Sequence, residues 1–212
     1  MNPERRDLLL TMLAASAGVL ASACTSLVSR PAPVKAMFLL DPPLPQAAAT
    51  PSKAAVLRIG TINVAAPFRG KNLVFRRSDL SYEADYYDEF FVPPSMMLAD
   101  AIAKGLAAAN VFQRVVPAGA AGNEGDYLLD GFVSELYGDA RSAGAAAVLA
   151  ITFYLTPMAN VGGAPAWTHA YSQREDVGAP TAQALADGLN RALGTILRDL
   201  ARDLAAATLP TP

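Results

Sequence analysis

The sequence predicts an α/β fold: a single domain in which a mixed β-sheet carries two amphipathic helices and a long antiparallel hairpin. The predicted elements follow one another in the order strands, helix, strands, helix. Each helix has an apolar stripe that must be buried, and the sheet is the partner available to both. The clean alternation of apolar residues at 149, 151, 153 and 155 predicts one arm of the hairpin.

The composition is that of a globular protein, with 212 residues, of which 52% are hydrophobic and 17% charged. The formal net charge of -2 argues against binding to nucleic acid, which needs a basic face. The chain has one Cys and one His, too few for a Cys/His zinc site or an internal disulfide. We therefore expect no metal site and no cofactor.

The first 23 residues have the pattern of an export signal. Two arginines precede an apolar stretch over residues 8–23, which is shorter and weaker than the roughly 20 apolar residues of a membrane-spanning helix. Small residues directly before Cys24 resemble the lipobox of bacterial lipoproteins, in which the signal is cut before a Cys whose thiol carries a diacylglycerol. We predict a lipoprotein signal peptide over residues 1–23 and lipidation at Cys24. The alternative is an ordinary signal peptide with a Cys at this place by chance.

The export route and the target membrane follow from the same segment. Arg5 and Arg6 resemble the pair of a twin-arginine signal, and Glu4 and Asp7 are unusual for the standard secretory route. Both routes stay open. Thr25 after the Cys resembles an outer-membrane sorting context, so we expect a lipid-anchored protein of the outer membrane that faces the periplasm.

Residues 24–53 are predicted to be a Pro/Ala-rich tether, and residues 54–209 the folded domain. Six prolines between positions 31 and 51 disfavour helix and favour extended chain. The tether is interrupted by the segment 36–41, which contains four consecutive apolar side chains. A solvated linker has no need of these side chains, so we expect the segment to dock as an edge strand.

The remaining elements follow from periodicity and from proline positions. The first helix is expected to start after Pro93-Pro94 with Ser95 as its N-cap, and the second to open at Pro180 and stop at Pro210. The predicted strands cover 56–64 with a bulge at Gly60, 73–77, 81–87, 111–116, 127–137, and a hairpin whose return strand places Trp167, His169 and Tyr171 on one face.

Two features that could carry chemistry are expected to be structural. The glycines at 119, 122 and 125 match neither a dinucleotide fingerprint nor a phosphate loop, and predict a flexible connection. His169 has no G-x-S-x-G nucleophile elbow to pair with, so we expect it to have a structural or surface role. We assign no catalytic residue.

The segment 82–91 mixes acidic and aromatic residues. The favoured interpretation is a strand and loop whose aromatics pack under the sheet while the acids face water. A protein-contact surface is the second interpretation, since aromatics are common interface anchors, and a carboxylate pair like that of a glycosidase is the third. The candidate partner-binding residues are Tyr82, Tyr86, Tyr87, Phe90 and Phe91.

Several short motifs occur in order along nearly all of the mature chain. They are Phe38-Leu39-Leu40, Leu73-Val74-Phe75-Arg76, the aromatic stretch 86–94, the strand motifs 126–131 and 135–139, and Ala192-Leu193. Together they resemble the ABC-type transport auxiliary lipoprotein family, the lipoprotein partners of Mce-type (mammalian cell entry) and paraquat-inducible-type lipid transport systems. Phe38 and Phe75 stand where the family has Tyr, so any role of those hydroxyls does not carry over.

The resemblance implies a non-enzymatic accessory lipoprotein of an ABC/Mce-type phospholipid transport system of the bacterial envelope. Its implied partners are a periplasmic Mce-domain protein and, indirectly, the inner-membrane ABC permease and its ATPase. We expect membrane contact through the lipid anchor and no contact with nucleic acid. The alternative is a structural lipoprotein of outer-membrane or lipopolysaccharide assembly, which a β-barrel partner would distinguish. An envelope hydrolase ranks last, because a nucleophile motif is missing.

Overall fold

The computed structural model describes residues 34–142 and 144–210, so Cys24 and the predicted signal peptide lie outside the described residues. Ten strands and helices, with 3-10 turns at Ala66–Phe68 and Met158–Asn160, follow one another along this part of the chain. They are β1 (Ala36–Phe38), β2 (Lys53–Val64), β3 (Asn72–Arg76), β4 (Tyr82–Phe90), α1 (Pro94–Ala109), β5 (Phe112–Val116), β6 (Tyr127–Asp139), β7 (Ala146–Pro157), β8 (Trp167–Asp176) and α2 (Ala182–Ala206).

Strand β6 is the centre of one eight-stranded mixed sheet. On one side it pairs with β7 along its whole length, and β7 pairs with β8, both antiparallel. On the other side β6 runs parallel to β2 and, at its last two residues, to β3. Strand β5 extends the sheet beyond β2, while β4 and then β1 extend it beyond β3. The sheet does not close, and the predicted fold class is confirmed.

Both helices bury their apolar stripes against this sheet. Helix α1 packs on β2 and β5, and α2 packs on β7 and β8. The two helices also touch each other: a Cβ added at Gly105 would lie 2.8 Å from Cδ1 of Leu197. Many helix side chains in this packing are buried and apolar, and burying each Leu or Ile stabilises the fold by roughly 1.5–3 kcal/mol. The fully buried ones include Leu98, Ile102, Leu106, Leu193, Ile196, Leu197 and Leu200.

The bulge predicted at Gly60 is present in β2. The β2–β6 register shifts between Ile59 and Ile62, and the N–H of Thr61 donates to the Asp130 carboxylate at 2.8 Å. A side chain at Gly60 would collide with that carboxylate. The bulge therefore needs a glycine, and it restores the inward direction of the apolar residues beyond it.

The predicted helix starts need correction. Helix α1 begins at Pro94 with Pro93 as its N-cap, and no side chain caps it, so Ser95 lies inside the first turn rather than at the cap. Proline suits the first helical position because it lacks the N–H that would be unpaired there. Helix α2 begins two residues after Pro180, because the Thr181 hydroxyl accepts the N–H of Ala184 at 3.3 Å. It ends at Ala206, before Pro210.

Residues 35–52, inside the predicted tether, belong to the same compact unit as the rest of the domain. The predicted edge strand is confirmed as β1, which runs parallel to β4. Beyond it Leu40 is buried, the N–H of Asp41 donates to the Asn190 side chain at 2.6 Å, and the N–H of Ala48 donates to Ala109 O at 3.0 Å. The division of the chain at residues 53 and 54 stays a prediction.

Candidate docking surface

The β3–β4 hairpin carries a large bulge. Between the pairs Asn72–Glu89 and Val74–Ala84 the register moves two positions along β3 and five along β4. The extra residues of β4 therefore leave the plane of the sheet between Asp85 and Asp88. This is the acidic and aromatic segment that the sequence analysis identified.

Asp85 shapes the bulge through its own backbone neighbourhood. Its Oδ1 accepts the N–H groups of Tyr87 at 2.9 Å and Asp88 at 3.0 Å. Its carbonyl oxygen accepts a hydrogen bond from the Asn72 amide at 2.7 Å. Short Asp and Asn side chains commonly hold turns in this way. The bulge is thus a hydrogen-bonded structure rather than a loose loop.

Tyr86 and Tyr87 stand at the tip of the bulge. Tyr86 is 80% exposed and Tyr87 44% exposed. Their rings meet edge to face, with centroids 5.0 Å apart and an interplanar angle of 83°. This arrangement is favourable for aromatic pairs.

Tyr82 lies at the other end of β4 in a cluster of three rings. Its centroid is 6.0 Å from that of Phe68 and 5.6 Å from that of Tyr137, and the Arg76 guanidinium lies 5.7 Å from its ring centre. Strand β1 pairs with β4 only at residues 88–90. Within the described residues, the part of β4 from Tyr82 to Tyr87 therefore forms an open edge of the sheet.

The two phenylalanines at the end of the segment lie in different environments. Phe90 is buried in the core at 2% exposure, so it offers no surface to a partner. Phe91 is 56% exposed, and its N–H donates to Phe38 O at 2.9 Å. Of the five candidate residues, Tyr86 and Tyr87 are brought together, Tyr82 and Phe91 lie apart from them, and Phe90 belongs to the core.

Two carboxylates beside the bulge have opposite pKa shifts. Hydrogen bonds from Lys35, and then from Lys71, lower the pKa of Glu89 against the opposing effect of its burial. Their Nζ atoms lie 3.0 and 3.2 Å from its oxygens. Burial and the neighbouring Asp85 raise the pKa of Asp88. The acidic side of the segment thus has one carboxylate that is fully paired and one that is more easily protonated.

The folded domain is similar to a known protein family over most of its length. A family model described as the ABC-type transport auxiliary lipoprotein component matches residues 38–201. The chain belongs to this family. Membership implies a membrane-anchored protein of the cell envelope that assists an ABC-type transporter, and it confirms the resemblance seen in the motifs. No curated protein matches the chain.

Solved structures similar to this auxiliary lipoprotein support its fold. Protein XCC0632 from Xanthomonas campestris, of the DUF330 family, superposes with a TM-score of 0.69 at 14% identity, covering 78% of this chain and 92% of that one. A second, uncharacterised protein superposes with a TM-score of 0.62, also at 14% identity, covering 81% and 99%. Identities this low show a shared fold and nothing about partners.

The other sequence-predicted features of the auxiliary lipoprotein lie away from the bulge. Trp167, His169 and Tyr171 share one face of β8, with centroid distances of 5.8 and 4.6 Å between successive rings. The Tyr171 hydroxyl donates to Asp203 at 2.9 Å. This confirms the predicted face, while the structural or surface role of His169 stays a prediction.

The glycine-rich loop is held more firmly than its composition suggests. The Arg58 guanidinium donates to the carbonyl oxygens of Ala120, Gly122 and Glu124 at 3.4, 2.7 and 3.0 Å. Gly119 and Gly122 adopt positive φ angles of 74° and 87°, which favour glycine. Arg58 lies some sixty residues upstream, so the local sequence had no signal of this contact.

Sequence reasoning missed three exposed apolar residues near Phe91: Met37, Leu39 and Met96. Apolar residues in a strand or helix are normally assigned to the core, and only the structure shows these side chains facing out.

Among the described residues, no cluster of three His, Cys, Asp or Glu residues is placed to hold a metal ion. None of the helices in residues 34–142 and 144–210 combines the length and the apolar character needed to cross a bilayer.

Proposed function

We propose that this protein is a non-enzymatic accessory lipoprotein of an Mce-type phospholipid transport system. Cys24 anchors it to the outer membrane, and its domain faces the periplasm and docks on the Mce-domain protein. Through that protein it acts with the inner-membrane ABC permease and its ATPase. Membership of the transport auxiliary family supports the proposal, and so does the exposed tyrosine pair on the β4 bulge.

The tyrosine pair is the observation that favours a protein partner. A tyrosine that is exposed and already ordered loses little side-chain entropy on binding, which is why tyrosines are frequent interface anchors. The Asp85 carboxylate accepts the backbone N–H of Tyr87, and the rings of Tyr86 and Tyr87 meet edge to face. The adjacent open edge of β4 offers backbone hydrogen bonds to the same partner.

The proposal is tested by purifying the full-length, lipidated protein with an affinity tag from detergent-solubilised envelopes of its own host. Three baits are compared: the unmodified protein, a Tyr86→Ser/Tyr87→Ser double variant, and a Val161→Ser control. Val161 is 58% exposed and follows the 3-10 turn between β7 and β8. We expect the Mce and permease subunits with the first and third baits, and at least tenfold less with the double variant, since two lost anchors cost several kcal/mol.

The other possible results of this purification lead to different conclusions. Intact, anchored bait that never recovers Mce or permease subunits would contradict the proposed function. Recovery of a β-barrel assembly protein instead would favour the alternative of outer-membrane or lipopolysaccharide assembly. Full recovery with the double tyrosine variant would leave the function standing and place the contact elsewhere on the domain.

A further inference from the structure

Four exposed apolar side chains lie where the chain enters the folded domain. They come from β1, the segment after it, the residue after β4 and the first turn of α1, and we call them the β1–α1 patch: Met37, Leu39, Phe91 and Met96, which are 51%, 57%, 56% and 61% exposed. Large apolar side chains that cluster on a solvent-exposed face commonly mark a contact with another apolar surface.

The members of the patch are neighbours in the structure. Met37 pairs with Glu89 and Phe38 with Phe90, and the N–H of Phe91 continues this pairing at Phe38 O. Side chains alternate along both segments, so Met37, Leu39 and Phe91 face outward while Phe38 and Phe90 face the core. Leu39 and Met96 line one groove of about 420 Å³ beside α1. The patch is therefore continuous from β1 to α1.

Two carboxylates beside the patch are paired with lysines, and a third, Asp41, lines the same groove as Leu39 and Met96. Glu89 contacts both Lys35 and Lys71, and the Asp100 carboxylate lies 2.7 Å from Lys104 Nζ. Paired charges weaken the repulsion that unpaired carboxylates would feel at a lipid surface. They also provide little net attraction, so binding to this patch must come from its apolar side chains.

The length of the chain before the domain limits how far this face can be from the membrane. Ten residues separate Cys24 from Lys35. However they are arranged, they span at most about 40 Å from Cys24 to Lys35. A folded unit of this size is itself roughly 40 Å across. The domain can turn its entry point away from the membrane only by fully stretching this chain, at a cost in conformational entropy.

We infer that the β1–α1 patch lies on the phospholipid bilayer that holds the acylated Cys24. The inference rests on the anchor in the proposed function, and it adds a face of the domain that contacts lipid directly. Phe91, which the sequence suggested as a partner contact, is assigned to this lipid face. The tyrosine pair, with the open edge of β4, is left available to a protein.

The test uses the lipidated full-length protein reconstituted in phosphatidylcholine vesicles. Because Cys24 is the only Cys of the chain and is blocked by its acyl group, a Met96→Cys variant carries one reactive thiol for an environment-sensitive nitrobenzoxadiazole label. A Val161→Cys variant is the matched control, since Val161 is exposed to a similar degree at 58%. Quenching by lipids brominated on their acyl chains is measured for both.

We expect the label at position 96 to be quenched several-fold more strongly than the label at position 161. Adding 30% phosphatidylglycerol should change this little, because the contact is apolar. Replacing Met37, Leu39 and Phe91 by Ser in the Met96→Cys background should reduce the quenching to the level of the control. Protein that floats with the vesicles but shows equal, weak quenching at both positions overturns the inference alone. Protein that does not float overturns the anchor and the inference together.

Discussion

Among single residues, Asp139 joins three separate parts of the sheet. It is the last residue of β6 and only 1% exposed. Arg141 donates to both of its carboxylate oxygens at 2.9 Å, and Arg174 of β8 donates to Oδ2 at 2.8 Å. Arg141 also reaches Asp79 in the β3–β4 turn at 2.7 Å. The hydrogen bonds from Arg141, with the one from Arg174, hold the pKa of Asp139 well below its usual range.

We expect Asp139→Asn to lower the free energy of unfolding at pH 7 by about 2 kcal/mol. The loss is smaller than for a fully buried pair because both arginines are partly exposed. A carboxylate with a lowered native pKa stabilises the fold above the unfolded-state pKa of about 3.9, and this stabilisation is lost as the pH falls towards the native value. The difference between the variant and the unmodified protein should therefore shrink between pH 4 and pH 2.

Urea denaturation of the two proteins at pH 7, 4 and 3 measures this difference. Asp187→Asn is a suitable control, because Asp187 is exposed on α2 and its carboxylate accepts a hydrogen bond from Gln183. It should change stability by less than about 0.5 kcal/mol. A difference for Asp139→Asn that is independent of pH would contradict the ionic explanation.

Among the elements, α2 has two roles. Its apolar stripe forms much of the core, while Asn190 on its flank holds the segment that follows β1. The Asn190 side chain accepts the N–H of Asp41 at 2.6 Å and donates to Leu39 O at 3.2 Å. Pro43 lies against Gly194, where any side chain on the helix would displace it. The proline-rich segment that follows β1 therefore packs against α2.

Asn190→Ala should release residues 39–48 while the rest of the domain stays folded. Two neutral hydrogen bonds are lost, each worth about 1 kcal/mol, so amide exchange at Asp41 should become at least tenfold faster. Hydrogen–deuterium exchange by mass spectrometry measures this effect. Gln183→Ala, an exposed change on the same helix, should leave the exchange unaltered. Equal exchange at Asp41 in both variants would show that packing alone holds the segment.

The whole molecule has two parts, a proposed membrane anchor and a folded domain. The proposed anchor depends only on the local sequence of residues 21–24, whereas the domain has two different exposed surfaces, the tyrosine pair and the β1–α1 patch. If Cys24 is acylated as proposed, the ten residues between it and Lys35 would keep the β1–α1 patch within about 40 Å of the bilayer. Lipid contact and partner contact can then take place on separate faces.

Cys24→Ala should move the protein from the membrane fraction to the soluble fraction. Acyl chains at Cys24 are the proposed source of stable membrane binding, and the inferred lipid contact of the β1–α1 patch would by itself be weak and reversible. Fractionation with mass spectrometry of the N-terminal peptide measures both location and acylation, with Thr25→Ala as the control. An unmodified N-terminus in the unaltered protein would contradict the lipobox interpretation.

Local patterns were enough for the strands, the helix stripes and the bulge at Gly60, since each depends on a period or a residue type that neighbours can reveal. The helix starts were misplaced by one or two residues because Ser95 and Pro180 are plausible start signals. In the structure Pro93 caps α1 without a side-chain hydrogen bond, and the Thr181 hydroxyl caps α2. Phe90 and Phe91 look equivalent in the sequence, and only the alternation within the folded strand separates the buried ring from the exposed one.

The sequence by itself determined the fold class, the family and the candidate lipidation site, because these depend on periodicity and on the order of short motifs. Tertiary structure alone decided that β6 pairs with β2, β3 and β7, that Arg58 holds a loop some sixty residues away, and that Met37, Leu39 and Met96 face outward beside Phe91. The physical reason is that such contacts join residues distant in the chain. Their energies depend on which surfaces meet, and no local pattern records that.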